Sequence, residues 1–239
     1  MSNCAWLIKK MPYIKQTVIV LNKKSVRQAD RWYTLLCCDN GKQDVIVRGA
    51  AKSSSKLAGH LEVGNKAEVM LAPGKNVVHL AGAKVLDSYR AINNDYDSLL
   101  LKWIALKKIN ELTYGDEVSV DFFEAVDDFL SVIGGENKDW STKVLLYNVL
   151  MMHLVTIAGY QIVPRQYFEP QNASFVDQAS KQTIKLDRKT LLTIKFGASQ
   201  NIGWCEKFKL VPKIKLNNEQ LKTLHTIVNT YFKYYISAL

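Results

Sequence analysis

Lysine and arginine side chains are concentrated between and beside the β-type segments of the N-terminal third, where their spacing suits phosphate groups. The set comprises Lys23, Lys24, Arg27, Arg31, Lys42, Arg48, Lys52 and Lys56. A nucleic-acid backbone needs cations at several points along a groove, and loop lysines and arginines supply them. Serines 53–55 can add hydroxyl and backbone N–H donors. We predict that these cations contact nucleic acid; a merely solvated basic surface is the alternative.

The distribution of charge supports a polyanionic partner more than the net charge of +10 does. Residues 1–80 hold 13 basic and 5 acidic residues, residues 81–170 hold 8 and 13, and residues 171–239 hold 11 and 4. The chain is therefore basic at both ends and acidic in the middle, a pattern typical of proteins that bind nucleic acids or acidic partners.

Two neighbouring aromatic residues lie among these cations and could stack on a base. Trp32 and Tyr33 follow Arg31 directly. Successive side chains of a strand point to opposite faces, so at least one of the two rings is expected in the core.

A second cluster of cations occurs in the C-terminal third. Lys185, Arg188 and Lys189 lie beside the apolar pair Leu191 and Leu192. A basic surface next to apolar side chains suits DNA or an acidic peptide that ends in an apolar residue. A solvated helix face is the alternative interpretation.

Residues for bond-making chemistry are scattered. The four histidines are far apart in sequence, no CxxC occurs, and nucleotide-binding glycine motifs are absent. His153 lies on an apolar helical segment and is expected in the core. The acidic pairs Asp116-Glu117 and Asp127-Asp128 are expected on solvated helix ends or faces. We therefore predict no catalytic residues, no metal and no cofactor.

The elements that must position the N-terminal cations are strands. Five short β-type segments occur within residues 13–86, with turn signals at Asn40-Gly41 and Pro73-Gly74. Five strands in some seventy residues suit a small Greek-key barrel of the OB type. We predict an OB-fold nucleic-acid-binding domain over residues 1–86.

Helical periodicity begins near Asp95 and dominates the rest. Ser119 is predicted to begin a helix, and Ser141 and Asn217 are predicted N-caps. The helix after Ser141 is apolar almost all round, which indicates a central buried helix. Residues 161–210 read as irregular, apart from a possible strand at 183–186 and a short helix at 187–194. The predicted fold is α+β: a five-stranded OB-fold barrel followed by an α-helical domain over residues 87–239.

The cellular compartment is predicted from what the sequence lacks. No apolar run reaches the length of a membrane span, and no secretory signal is recognisable. The four cysteines have no framework spacing, and the neighbours Cys37 and Cys38 point apart on a strand. We expect a cytoplasmic protein.

Several segments resemble the RecO family of bacterial DNA-repair proteins. Gln28-Ala29-Asp30-Arg31 resembles an element that leads into a strand, and Asn40-Gly41-Lys42 resembles the turn that follows it. Arg48-Gly49-Ala50 and the basic loop from Lys52 to Lys56 come next in the family order. Ile157-Ala158-Gly159-Tyr160 resembles the end of a family helix, and the final helix is similar as well. Residues 161–210 match poorly.

The resemblance implies a recombination mediator without enzymatic activity. Such proteins bind single- and double-stranded DNA, anneal complementary strands, bind the acidic C-terminal tail of single-stranded DNA-binding protein, and help load RecA together with RecR. Many members carry a four-cysteine zinc element just after the family helix whose end Ile157-Ala158-Gly159-Tyr160 resembles. Residues 161–174 contain no cysteine here, so no zinc is expected.

Two other classes of protein remain as alternatives. An OB-fold module that binds RNA would prefer 2′-hydroxyls, and a competition between RNA and DNA of equal length would separate the two. An enzyme with a hidden active site would show a cleft of convergent titratable groups.

Overall fold

The computed structural model describes residues 13–26, 28–72, 74, 78–115, 118–135 and 138–236. Within these ranges the chain forms five long strands, then seven α-helices, with three short strands inserted before the fifth helix. The strands are β1 (Ile14–Ser25), β2 (Arg31–Cys37), β3 (Lys42–Val47), β4 (Lys66–Ala72), β5 (Val78–Asp87), β6 (Tyr167–Glu169), β7 (Ser174–Val176) and β8 (Ile184–Lys185). The helices are α1 (Arg90–Asn93), α2 (Tyr96–Leu112), α3 (Val120–Ile133), α4 (Trp140–Ile157), α5 (Arg188–Ala198), α6 (Trp204–Leu210) and α7 (Asn218–Tyr235).

The first five strands close into a barrel in the order β1-β2-β3-β5-β4. Strand β1 pairs with both β2 and β4, and its shift of register between Val20 and Asn22 lets it curve from one neighbour to the other. Strands β3 and β5 pair in parallel and complete the circle. Apolar side chains such as Val18, Leu35 and Val69 fill the interior. The predicted OB-fold barrel is confirmed.

The Asn40-Gly41 signal correctly located the β2–β3 hairpin but not its conformation. The connection has four residues, and the Cys37 N–H donates to the Gly41 carbonyl at 2.7 Å. Only Gly41 of this connection adopts a positive φ, 63°, whereas the two-residue turn would need it at both central positions. The predicted Pro73-Gly74 turn falls partly outside the described residues.

Three of the predicted helix starts can be compared with the structure. Helix α3 begins where predicted, and Ser119 caps it by accepting from the Phe122 N–H. Asn217 caps α7 through a reciprocal capping box with Gln220, also as predicted. The prediction for α4 was wrong: Asp139 is the cap, accepting from Thr142, and Ser141 lies within the first turn. Aspartate and serine are comparable N-caps, so the pattern alone could not choose between them.

Helix α4 is the centre of the helical part, as its sequence predicts. Residues 143–156 are all buried, and α2, α3, α5 and α7 pack around the helix. Polar groups on it find partners: the Asn148 side-chain nitrogen donates to the Val144 carbonyl, and the Asn148 Oδ1 accepts from His225 Nδ1 at 3.1 Å.

Residues 161–210 contain a small sheet and two helices. The sheet has the order β7-β6-β8, and Phe168 and Phe175 contact each other across β6 and β7. Helix α5 begins after Asp187, which accepts from the Lys189 and Thr190 N–H groups. Strands of two or three residues are too short to show a period of two, so no sequence pattern could reveal this sheet.

The barrel and the helices are joined by polar contacts as well as by a continuous apolar core. Asp127 on α3 accepts a hydrogen bond from the Tyr89 hydroxyl and forms an ion pair with Lys66 of β4. The expectation that Asp127 lies on a solvated face was wrong, because helix α3 packs beside the barrel. Asp116 and Glu117 lie outside the described residues. The division of the chain near residue 86 stays a prediction.

Candidate nucleic-acid interface

Two loops meet at one end of the barrel and are fastened to each other. They are the described residues of the β1–β2 connection, 26 and 28–30, and the segment after β3, residues 48–56; together we call them the cationic loop pair. The Asp30 carboxylate accepts from the Gly49 N–H at 2.9 Å, and the Ala51 N–H donates to the Ala29 carbonyl at 2.9 Å. Gly49 has φ of +70°, which a side chain would strain.

Five of the predicted contact residues surround the cationic loop pair. They are Lys24, Arg31, Arg48, Lys52 and Lys56. All are exposed except Arg31, which is half-buried. Among the described residues none of these five cations forms a salt bridge. They are therefore available to an external anion. Arg27 lies outside the described residues.

Two other predicted contact residues already have partners inside the protein. Lys23 forms an ion pair with Glu62, which follows the 3₁₀ turn at Ala58–Leu61. Lys42 lies at the opposite end of β2 and β3, where its ammonium donates to the Asn110 carbonyl at 2.9 Å. Burial lowers the pKa of Lys42. Both residues remain predictions as DNA contacts, but each has less freedom to reach a phosphate.

The two aromatic residues face opposite sides of the barrel wall. Tyr33 is completely buried in the core. Trp32 is half-buried on the outer surface, where the strand register places Lys24 on one side of it and Ile46, then His79, on the other. This row crosses four strands beside the cationic loop pair and offers a flat surface to a base.

The second predicted basic surface borders an apolar groove. A cavity of about 570 Å³ lies between α5 and the chain that follows α6. Its lining combines apolar and cationic side chains: Lys189, Leu192, Thr193, Phe196, Leu210, Lys213, Ile214, Lys215 and Leu216. Leu192 is 53% exposed, whereas Leu191 packs against the core. Lys185 and Arg188 are exposed nearby in the chain but do not line the groove.

One buried polar cluster had no signal in the sequence. Lys207 is fully buried, and its ammonium contacts the Gly197 carbonyl at 2.7 Å, the Ser199 carbonyl at 2.6 Å and His153 Nδ1 at 2.9 Å. Burial lowers the pKa of Lys207 to about 8 and, with the nearby Lys207 charge, that of His153 to about 4. His153 stacks on Trp204. The prediction that His153 lies in the core is confirmed; the partnership with Lys207 was missed, because a buried lysine looks like a surface one in sequence.

Two further properties concern metals and membranes. In the parts of the chain that the structure describes, no group of three or more His, Cys, Asp or Glu residues is arranged to hold a metal ion. Within the same parts, no helix has both the length and the apolar character needed to cross a bilayer.

Comparison with known proteins agrees with this architecture. Residues 11–89 match the family model described as "Recombination protein O N terminal". A protein named DNA repair protein RecO from Gloeothece citriformis is 27% identical over 169 residues, which cover 67% of this chain and 58% of the relative. A protein of the same name from Roseiflexus sp. is 27% identical, and the match covers 60% of this chain and 49% of the relative. A third protein of this name, from Desulforamulus reducens, is 23% identical, and the match covers 95% of this chain and 91% of the relative.

The length matched differs among these relatives. The chain spans about half to three-fifths of the first two relatives and about nine-tenths of the third. The closed five-stranded barrel, its cationic loop pair and the helices behind it define an OB-fold protein built on a helical support. Residues 11–89 are similar to the N-terminal part of the RecO family, and longer stretches of the chain are similar to proteins named DNA repair protein RecO.

Proposed function

We propose that this chain binds single- and double-stranded DNA through the cationic loop pair and anneals complementary strands during recombinational DNA repair. The match to the family model of the recombination protein O N-terminus and the similarity to proteins named DNA repair protein RecO support the coarse role, DNA repair and recombination. The observation that carries the finer proposal is the convergence of five cations without salt bridges, among the described residues, at one end of an OB barrel. OB folds take oligonucleotides on a surface that includes the face of strands 2 and 3 and the loop between strands 1 and 2.

The proposed mechanism is binding without bond-making. Cations of the cationic loop pair hold two phosphate backbones near each other and lower the repulsion that slows annealing. The Asp30–Gly49 contact keeps the two loops at a constant separation, so the loops lose less conformational entropy when they bind DNA. The Trp32 ring can stack one base of a single strand, while other bases stay free to pair.

Replacing the cations of the cationic loop pair tests the site. In the quadruple variant Arg31→Ala, Arg48→Ala, Lys52→Ala, Lys56→Ala, we expect weaker DNA binding and a salt slope flatter by about three units, since each lost phosphate contact removes about 0.7–0.9. Fluorescence anisotropy with labelled oligonucleotides at several salt concentrations measures both.

The matched control removes four exposed lysines elsewhere, Lys84, Lys107, Lys222 and Lys233. It lowers the net charge equally but should retain most of the salt slope. A folded quadruple loop variant with the affinity and slope of the unchanged protein would contradict the site.

The groove beside α5 is proposed to bind the acidic C-terminal tail of single-stranded DNA-binding protein. Its apolar floor, with Leu192 and Phe196, suits an apolar terminal residue, and Lys189, Lys213 and Lys215 at its edge suit acidic side chains. Lys185 and Arg188 extend the positive surface toward β8 and are proposed to attract the tail over a longer distance.

Peptide binding tests the groove independently of DNA. With a labelled peptide of that acidic tail, Leu192→Asp and Lys189→Glu should each weaken binding by about tenfold or more, since both place negative charge against the peptide. Leu86→Asp, at an exposed leucine on β5, is the control and should bind normally. Equal affinities for all three variants would place the tail elsewhere.

The complete role is tested by annealing. Complementary strands coated with single-stranded DNA-binding protein should anneal faster with this chain, and faster with the intact acidic tail than without it. Loading of RecA together with RecR and a cytoplasmic location are part of the same proposal. An OB-fold module for RNA is the alternative; it would bind RNA more tightly than DNA of the same length and would not anneal coated DNA at low salt.

A further inference from the structure

A cavity with an acidic wall opens between helices α3, α4 and α6, and neither DNA binding nor tail binding uses it. Its volume is about 470 Å³. Carboxylates, a histidine and a tryptophan are brought together there: Asp121, Glu124, Asp128, His153 and Trp204. We call this space the acidic cavity.

The wall formed by α3 carries three carboxylates; the Lys66 charge acts on Asp128, but burial and the neighbouring carboxylates outweigh it. Asp121, Glu124 and Asp128 are three and four residues apart, so their side chains share one face of the helix. Among the described residues none of the three forms a salt bridge. The pKa of Asp128 is raised, first by burial and then by the charges of Asp127 and Glu124. A cation brought to this wall would relieve that repulsion.

Among the described residues, the floor of the acidic cavity lacks hydrogen-bond acceptors, whereas its wall lacks a cation. The three protons of the Lys207 ammonium have three acceptors: the Gly197 and Ser199 carbonyls and His153 Nδ1. Since His153 Nδ1 accepts from Lys207, the proton of the neutral imidazole sits on Nε2, at the ring edge away from Lys207.

Two buried N–H donors therefore border the cavity with nothing to accept from them. His153 Nε2 and Trp204 Nε1 have no hydrogen-bond partner among the described residues. The two residues are only 7% and 6% exposed. Buried donors without acceptors are costly and rare in folded proteins. A ligand that brings an acceptor oxygen to this floor would satisfy them after a small shift of the rings.

We propose that the acidic cavity binds an arginine of a partner protein, with the guanidinium against Asp121, Glu124 and Asp128 and a backbone carbonyl of the same segment toward His153 and Trp204. A guanidinium presents several donors in a planar fork that matches carboxylates. A phosphate would be repelled by the carboxylate wall. A metal ion would face N–H groups instead of lone pairs, and a polyamine has no acceptor for them.

The test follows the indole N–H resonance of Trp204 in the full-length chain, assigned with Trp204→Phe. The probe is N-acetyl-arginine amide, which carries a guanidinium and backbone carbonyls; a dissociation constant on the order of 1 mM is expected for so small a ligand. N-acetyl-citrulline amide has the same shape without the charge, and spermidine has charge without a carbonyl. The arginine probe should move the resonance, and the other two should not.

Two double variants test whether the carboxylates on α3 bind the arginine probe. Asp121→Asn with Glu124→Gln should weaken binding of the arginine probe by about tenfold, since two of the three paired charges are lost. Glu111→Gln with Glu219→Gln removes two exposed carboxylates elsewhere and should leave binding unchanged. Circular dichroism confirms that both variants are folded. An equal response to spermidine, no response to the arginine probe, or equal weakening in both double variants would overturn the proposal.

Discussion

At the scale of single residues, the pair His153 and Lys207 makes the stability of the protein depend on pH. The pKa of His153 is lowered to about 4, by burial first and by the Lys207 charge second. The folded state therefore keeps the imidazole neutral while the unfolded chain takes up a proton below its ordinary pKa of about 6.5. Stability from this residue is present above that value and is lost as the pH falls toward 4.

We expect the unchanged protein to lose about 2 kcal/mol between pH 7 and pH 5 through His153 alone. Urea unfolding at both values measures the total change, and His153→Gln isolates the contribution, because glutamine keeps an acceptor for Lys207 but does not titrate. The variant should show a smaller loss on acidification. Identical pH dependence of variant and unchanged protein would mean that His153 has the same pKa in the folded and unfolded states.

The same residues show what sequence can indicate at this scale. An apolar helical neighbourhood predicted that His153 is buried, and alternation along a strand predicted that Trp32 and Tyr33 point apart. The burial of Lys207 could not be predicted, since its acceptors are carbonyls at residues 197 and 199. Main-chain acceptors have no sequence signal, and only the tertiary fold brings them to the lysine.

At the scale of elements, the hydrogen bond from the Gly49 N–H to Asp30 holds the two halves of the cationic loop pair together. Asp30→Ala removes the acceptor and should lower stability by about 1 kcal/mol. Asp30→Asn is the matched control, because it removes the same charge but retains an acceptor oxygen. We expect faster hydrogen exchange at Gly49 and weaker DNA binding in Asp30→Ala than in Asp30→Asn. Equal exchange and affinity in the two variants would show that the loops are positioned by other contacts.

The elements themselves were predictable to different degrees. The barrel strands follow from β-branched runs and turn signals, and the long helices from spacing of three and four residues and from caps such as Ser119 and Asn217. The number and length of the segments predicted a small barrel, but no sequence pattern indicated the order in which its strands pair. The groove beside α5 depends on the position of residues 210–216, which pack there through contacts distant in sequence.

At the scale of the whole molecule, the acidic middle of the chain has more than one use. Asp127 contacts the barrel where α3 packs against it. Asp121, Glu124 and Asp128 line the acidic cavity instead. Charge counting indicated that residues 81–170 are acidic, but it could not separate these uses, because Asp127 and Asp128 are neighbours in sequence and point in different directions on the helix.

These two neighbours allow a test of how the barrel is attached to the helices. Asp127→Ala leaves the Tyr89 hydroxyl and the Lys66 ammonium without their acceptor, and the side chains of Asp127 and Lys66 are only 21% and 25% exposed. We expect a loss of about 2 kcal/mol in urea unfolding. Asp128→Ala removes a carboxylate whose charge is already disfavoured in the folded state, as the raised pKa indicates, so little or no stability should be lost. Since both changes place alanine on the same turn of α3, helix propensity cancels between them. Equal losses would show that the contacts of Asp127 with Tyr89 and Lys66 add no net stability to the attachment of the barrel.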